Sequence, residues 1–176
     1  MSFKNRGQVL ERNVLQAAAY YEMRGEAVIV KMPTPVKVTK KDKGQVTGYF
    51  EKSTVDFYGT IQGGQAVYFD AKETGSGRFA LTNEKVMEPH QIKHLDLQHN
   101  MGALAFILLD FTAEKETYCI PWPVFLEYYE KAAALPKGAR GKSLKIADCR
   151  EDQRILTAPV QHGYLDFLSP YLSRKK

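Results

Sequence analysis

Apolar residues recur at helical spacing at the start of the chain. Val9, Leu10, Val14, Leu15, Ala18 and Tyr21 predict a helix over about residues 6–24, with Gly25 at the position of a left-handed cap. Residues 26–31 form a β-rich run that predicts a buried strand, interrupted by Pro33 and Pro35. Residues 36–40 alternate apolar and polar, 40–44 read as a turn, and 45–50 return. This predicts a basic two-stranded ribbon projecting from the domain and carrying Lys37, Lys40, Lys41 and Lys43; the alternative is a surface loop with solvated lysines. Residues 54–59 and 66–72 read as paired strands joined through Gly63-Gly64, and 73–78 as a flexible polar loop. Further on, the pattern predicts a helix over about 84–100 and an apolar strand over 102–111 covered on both faces. A strand over 117–122 and a helix over about 123–134 follow, the latter with Phe125, Tyr128 and Tyr129 as its apolar stripe. A basic Gly/Pro loop at 135–142, a short strand near 144–147, an aromatic stretch at 164–171 and a basic tail complete the chain. This order predicts an α/β architecture, a central mixed sheet flanked by helices.

Length and charge narrow the class. The 176 residues suit one compact domain, residues 1–176, with 33–50 as a protruding stalk. Twenty-five Lys+Arg against 20 Asp+Glu leave a formal charge of +5, which fits a polyanionic partner as well as plain solubility. The two cysteines, Cys119 and Cys149, match no metal spacing and make no disulfide framework, so both read as buried thiols of a reducing compartment. The N-terminus lacks a signal-peptide apolar region, and the longest apolar run, 103–109, is too short to span a bilayer. No membrane association and a cytoplasmic location are therefore expected.

The candidate chemistry lies on the paired strands. Asp56 and Asp70 offer oxygen ligands to a hard divalent cation, Mg²⁺ or Mn²⁺, and the carbonyl of Ala71 can extend that oxygen set. Alternation sends Asp70 and Lys72 to one face and Ala71 to the other, which sets an ammonium beside the carboxylates. Metal-assisted phosphodiester hydrolysis needs such a cluster: a clamped phosphate, an activated water and neutralised charge. The same residues also read as a cross-strand ion pair, Asp56 with Lys72, on a solvated face.

The surrounding blocks resemble the RecU-type Holliday junction resolvases, a branch of the PD-(D/E)xK nuclease superfamily. The matching segments, in order, are Asn5-Arg6-Gly7 with Leu10-Glu11; Lys31-Met32-Pro33-Thr34-Pro35-Val36; Ser53-Thr54-Val55-Asp56-Phe57-Tyr58-Gly59; Phe69-Asp70-Ala71-Lys72-Glu73-Thr74; and His90-Gln91-Ile92-Lys93-His94. The resemblance implies a restriction-endonuclease-like core, a homodimer, and symmetric paired nicking of four-way DNA junctions. It implies Asp56 and Asp70 as metal ligands and Lys72 as the catalytic lysine. Glu11 and Gln91 would line the same site, Arg6 and Lys31 would meet DNA, and residues 33–50 would be the family's stalk. The chain departs from the family in three ways: Asp70 stands where Glu is usual, the stalk is shorter, and a long N-terminal extension is absent.

Rival functions are a duplex-cleaving restriction- or repair-type nuclease with the same site residues, and a non-catalytic junction-binding protein. Glu73 is expected to point away from Asp70 into a structural role. His90, His94 and His99 share a helix, but a DNA-facing or solvated surface is favoured over zinc. Trp122 reads as core. Lys137, Arg140, Lys142 and Arg150 read either as phosphate contacts or as a solvated basic loop.

Overall fold

A computed structural model describes residues 7–33, 36–40, 46–50, 54–158, 160 and 163–165. The elements run in the order α1 (Gly7–Met23), β1 (Ala27–Lys31), β2 (Val36–Lys40), β3 (Val46–Phe50), β4 (Phe57–Ile61), β5 (Ala66–Thr74), β6 (Arg78–Ala80), α2 (Pro89–Asn100), β7 (Leu104–Phe111), β8 (Glu116–Pro121), α3 (Trp122–Ala133), β9 (Ser143–Lys145), α4 (Ile146–Glu151) and β10 (Leu156–Thr157). Six strands form one sheet in the order β1-β4-β5-β7-β8-β10. The β5–β7 pair is parallel and the other pairs of that sheet are antiparallel, so the sheet is mixed as expected.

Two cores sandwich this sheet. On one face, Leu10, Val14, Ala17, Ala18 and Tyr21 of α1 cover Ile29, Phe57, Phe69, Phe106 and Cys119. On the other, Leu95 of α2 and Trp122, Val124 and Phe125 of α3 cover Ala105, Ile107, Leu109 and Ile120. β7 is sealed between them, which is why it reads as a continuous apolar run. Across the first face Phe57, Phe69 and Phe106 stack in a row, with ring centroids 5.0 Å and 4.5 Å apart. Each such contact is worth roughly 1 kcal/mol beyond area burial. The row holds Phe69 toward α1, and a strand's twofold alternation then sends Asp70 and Lys72 to the opposite face.

Gly25 and Gly59 are required for different reasons. Gly25 ends α1 at φ +68°, with its amide bound to Glu22 and the Glu26 amide to Tyr21, a Schellman closure. At Gly59 an added Cβ would lie 2.0 Å from the Val28 carbonyl oxygen, so only glycine lets β4 pair with β1 there. The Tyr21 hydroxyl accepts from the amides of Tyr164 and Leu165, at 2.7 and 2.9 Å, tying a late segment to α1.

Several expectations are corrected. β1 is not buried on both faces: it ends the sheet among the described residues, and Val28 and Val30 are 54% and 40% exposed. The helix expected over 84–100 starts at Pro89, because Pro lacks the amide that a first helical position leaves unused. The loop expected at 73–78 is shorter, residues 75–77: β5 continues through Thr74 and β6 begins at Arg78. The strand near 144–147 gives way at Ile146 to α4, too short to show a periodicity. Trp122 is buried, with its indole N–H on Asp96 at 3.1 Å, and both thiols are free and buried. β2 and β3 form a separate antiparallel ribbon in which Lys37 lies opposite Tyr49 and Lys40 opposite Val46. Lys41 and Lys43 fall outside the described residues.

Candidate active site

The site forms where the β4–β5 ladder stops. Phe57 opposite Phe69 is the last registered pair, and the next positions along are Asp56 and Asp70. Beyond Phe69 β5 keeps β7 on one edge, while the other edge has left β4 behind. Carboxylates take over there. The Asp56 amide donates to Asp70 Oδ1 at 3.0 Å, and the Ala71 amide donates to Asp56 Oδ2 at 3.0 Å. From the other side, the Met32 amide donates to the Asp56 carbonyl at 2.8 Å. Each aspartate therefore satisfies a backbone donor that a continuing ladder would have used.

This arrangement is costly as pure structure. Like charges directly opposite each other on paired strands repel. Asp70 is fully buried, and Lys72 is only 16% exposed in its side chain. Lys72 Nζ stands 2.7 Å from Asp70 Oδ2, an ion pair outside hydrogen-bond alignment, and that oxygen takes no hydrogen bond. Burial, and then the neighbouring Asp70 charge, push the Asp56 carboxyl up to about 7 against the pull of Lys72. The two carboxylates and one ammonium leave the site short of positive charge. Lys72 pairs with Asp70 inside this cleft, so a cross-strand Asp56–Lys72 pair on a solvated face does not describe it.

Gln91, 8% exposed on α2, completes the group. Its Oε1 accepts from Lys72 Nζ at 3.4 Å and from the Glu88 amide at 3.2 Å. The amide that precedes the helix fixes Gln91, and Gln91 in turn orients the lysine. The Glu88–Gln91 link was legible in the chain as Pro89 at a helix start followed by a capping Gln, but the early helix start predicted at 84 obscured it.

The other predicted residues fall around this centre. Glu11 on α1 forms an ion pair with Lys31 at the end of β1, next to the Met32 that holds Asp56. Thus the structure brings Asp56, Asp70, Ala71, Lys72 and Gln91 into one group joined by hydrogen bonds and the Lys72–Asp70 ion pair, and sets Glu11 and Lys31 as a pair beside it. Arg6 lies outside the described residues. Glu73 accepts from the Leu10 amide at 3.1 Å and so caps the first turn of α1 from the far face of β5. His90 pairs with Glu88 at 3.3 Å, and His94 packs edge-on against Tyr68, ring centroids 5.6 Å apart. Among the described residues no group of three or more His, Cys, Asp or Glu converges on a metal position. Two carboxylates with water still suffice for Mg²⁺, which dehydrates reluctantly and takes one or two protein carboxylates.

The family model described as Recombination protein U matches residues 5–171. A protein of Streptococcus gordonii named Holliday junction resolvase RecU is 33% identical, over 98% of this chain and 86% of its own length. Its namesake from Streptococcus sanguinis is 31% identical over 93% of this chain and 76% of its own length. That of Streptococcus thermophilus is 31% identical over 98% and 87%. With this match over nearly the whole chain, and the acidic pair, lysine and glutamine gathered at the end of one ladder, the chain belongs to the RecU family.

Proposed function

We propose that this protein is a structure-selective endonuclease that resolves four-way DNA junctions by metal-dependent phosphodiester hydrolysis, with paired nicks made by a homodimer. The observation that carries the reading is the mutual clasp of Asp56 and Asp70 with Lys72 on the same buried face, in a chain of this family.

The residues fit a divalent cation. A fully buried carboxylate oxygen, Asp70 Oδ2, lacks a hydrogen bond, and the pair of acids is offset by one lysine. A residue's N–H and C=O leave a strand by the same edge, so the Ala71 carbonyl shares the edge on which its amide meets Asp56. Asp56, Asp70 and the Ala71 carbonyl would hold Mg²⁺ or Mn²⁺, which supplies Lewis acidity and charge neutralisation at the scissile phosphate. Lys72 orients the incoming water and faces the charge that grows on the phosphate oxygens. Gln91 keeps Lys72 in place, and Glu11 with Lys31 borders the cleft. Asp70, one methylene shorter than the family's usual Glu, draws the ligand carboxylate closer to β5.

Resolution requires two cuts related by a twofold axis, and a C₂ dimer brings two such sites in that relation. Residues 1–176 act as one nuclease domain. The ribbon at 33–50, with Lys37, Lys40, Lys41 and Lys43, reaches the junction as a stalk; together with Arg6 it supplies sequence-tolerant phosphate contacts. No helix among the described residues is long and apolar enough to cross a membrane, and a cytoplasmic DNA-processing role is consistent with that.

The test compares wild type with Asp70→Asn on a mobile four-way junction and on a matched linear duplex, with and without Mg²⁺ or Mn²⁺. Paired nicks in the junction, dependent on the metal and lost in the variant, are expected. Equal rates on junction and duplex point to the duplex-cleaving nuclease. No nicking by wild type under either metal rejects catalysis.

A further inference from the structure

We infer that a second anion site, built from β6, β9 and the loop before β9, grips the phosphate backbone of a DNA arm beside the cut. The inference rests on the nuclease reading above. Arg78, Arg140, Lys142 and Lys145 converge on a cavity of about 460 Å³ closed by Gly141 and Ser143. This lining is charged, unlike the apolar lining of a small-molecule pocket.

The pairing of the two short strands dictates the cluster. Phe79 lies opposite Leu144, and both are buried in the α2–α3 core. Alternation then turns the flanking pair, Arg78 opposite Lys145, away from that core. Two cations directly opposite one another on paired strands repel. The Leu81 amide binds the Lys142 carbonyl at 3.1 Å and draws the loop cations to the same place. Among the described residues none of these four side chains has an ion pair with an acid, whereas nearby Arg150 binds Glu116 at 2.6 Å and Arg154 binds Asp152 at 2.8 Å. Asp148, the nearest acid along the chain, turns its carboxylate to the Lys145 backbone amide at 2.8 Å. The Glu114 carboxylate stands beside Gly77 but forms no ion pair with the four cations among the described residues, so this concentration of positive charge calls for an external anion.

The position relative to the active site points to DNA. Asp70, Lys72 and Thr74 alternate onto one face of β5, and Thr74 lies about 7 Å beyond Lys72. The Thr74 hydroxyl donates to the Arg78 carbonyl at 2.9 Å and the Ser76 hydroxyl to the same oxygen at 3.1 Å. The basic cleft is thus bolted to the strand that carries the catalytic pair, on the same side of the sheet. Phosphates follow the scissile one along a strand at short intervals, about 3.4 Å of helix axis each. A duplex arm leaving the cut in this direction passes over the cleft. Arg140 and Lys142 are then phosphate contacts, Arg78 and Lys145 join them, and Arg150, committed to Glu116, does not.

The experiment measures binding of the full-length protein to a four-way junction and a linear duplex, by fluorescence anisotropy without divalent metal, across about 50 to 300 mM salt. Arg140→Ala with Lys142→Ala is compared with wild type and with Lys131→Ala, an ion-paired lysine outside the cleft. The double variant is expected to bind roughly tenfold more weakly, with a salt slope shallower by about 2, while Lys131→Ala matches wild type. Thermal melting checks that all three fold alike, and Arg78→Gln supplies a second neutralisation from a different element. Wild-type affinity and slope in both cleft variants would overturn the inference. If wild type binds duplex but shows no preference for junctions, the proposed function falls while the cleft is still read on duplex. If wild type binds neither, both fall.

Discussion

Asp56 and Asp70 each accept the backbone amide that the end of a β ladder would otherwise leave unpaired: Asp70 takes that of Asp56, and Asp56 takes that of Ala71. The two acids are therefore held by the same framework that sets strand register. Their mutual repulsion is built into the fold, because neither can turn away without leaving a part-buried amide unpaired.

The first consequence is a trade between stability and activity. An aspartate raised to about 7 favours folding only while protonated, so metal-free protein loses stability as pH rises from about 4 to about 7, by up to about 4 kcal/mol. Asp56→Asn keeps the acceptor for the Ala71 amide and removes the charge. It is expected to melt higher than wild type at pH 8 without metal, to show a flatter Tm–pH profile, and to cleave at least a hundredfold more slowly. A variant that melts lower than wild type at pH 8 would contradict the account of a strained acid pair.

Metal uptake should release a proton. Ligands bind metals in their ionised form, so Mn²⁺ affinity should rise about tenfold per pH unit below the Asp56 pKa near 7 and level off above it. Calorimetry in buffers of different ionisation enthalpy counts the protons. An affinity independent of pH between about 5.5 and 7 rules Asp56 out as the titrating ligand.

We propose Gln91 as a positioning residue that acts through Lys72. Gln91→Leu removes the acceptor shared by Lys72 and the Glu88 amide and should lower the cleavage rate about 10- to 100-fold with DNA affinity unchanged. Gln91→Glu restores an acceptor oxygen and should recover part of the rate. A stability loss alone, equal in both variants and without a change in rate, would reduce Gln91 to a helix cap.

Glu73 separates structure from chemistry within the segment Phe69–Thr74. Glu73→Ala should cost about 1 kcal/mol by uncapping the first turn of α1, and Glu73→Gln should recover most of it. Neither should alter Mn²⁺ affinity, because the side chain lies on the α1 face of β5, away from Asp70 and Lys72. Denaturant melts and a metal titration on the same samples decide the point.

Much of this was legible in the residue pattern, for reasons that differ by element. The period of apolar positions marked α1, and the unbroken apolar run marked β7 as a strand covered on both faces. Gly63-Gly64 announced the turn that pairs β4 with β5, and alternation placed Asp70 and Lys72 together before any contact was known. The elements that escaped are short or poorly periodic: β6, α4 and β10 are held by partners distant along the chain. The outer valines of β1 looked buried because an apolar strand reads the same at the sheet's end as in its middle.

What the amino-acid sequence by itself determined was therefore local and alternating: which side chains share a face, where turns occur, and, through the resemblance of ordered blocks, which family the chain joins. Tertiary structure alone decided that Asp56 stops one position short of its strand and meets Asp70 across a broken ladder. It also decided that Gln91 reaches Lys72 from another element, that Glu11 spends its charge on Lys31, and that Arg78 stands with Lys142 and Lys145 around one cavity. The reason is physical. Period and propensity act over a few neighbouring residues, whereas burial, register and the pairing of charges depend on which distant segments close on one another.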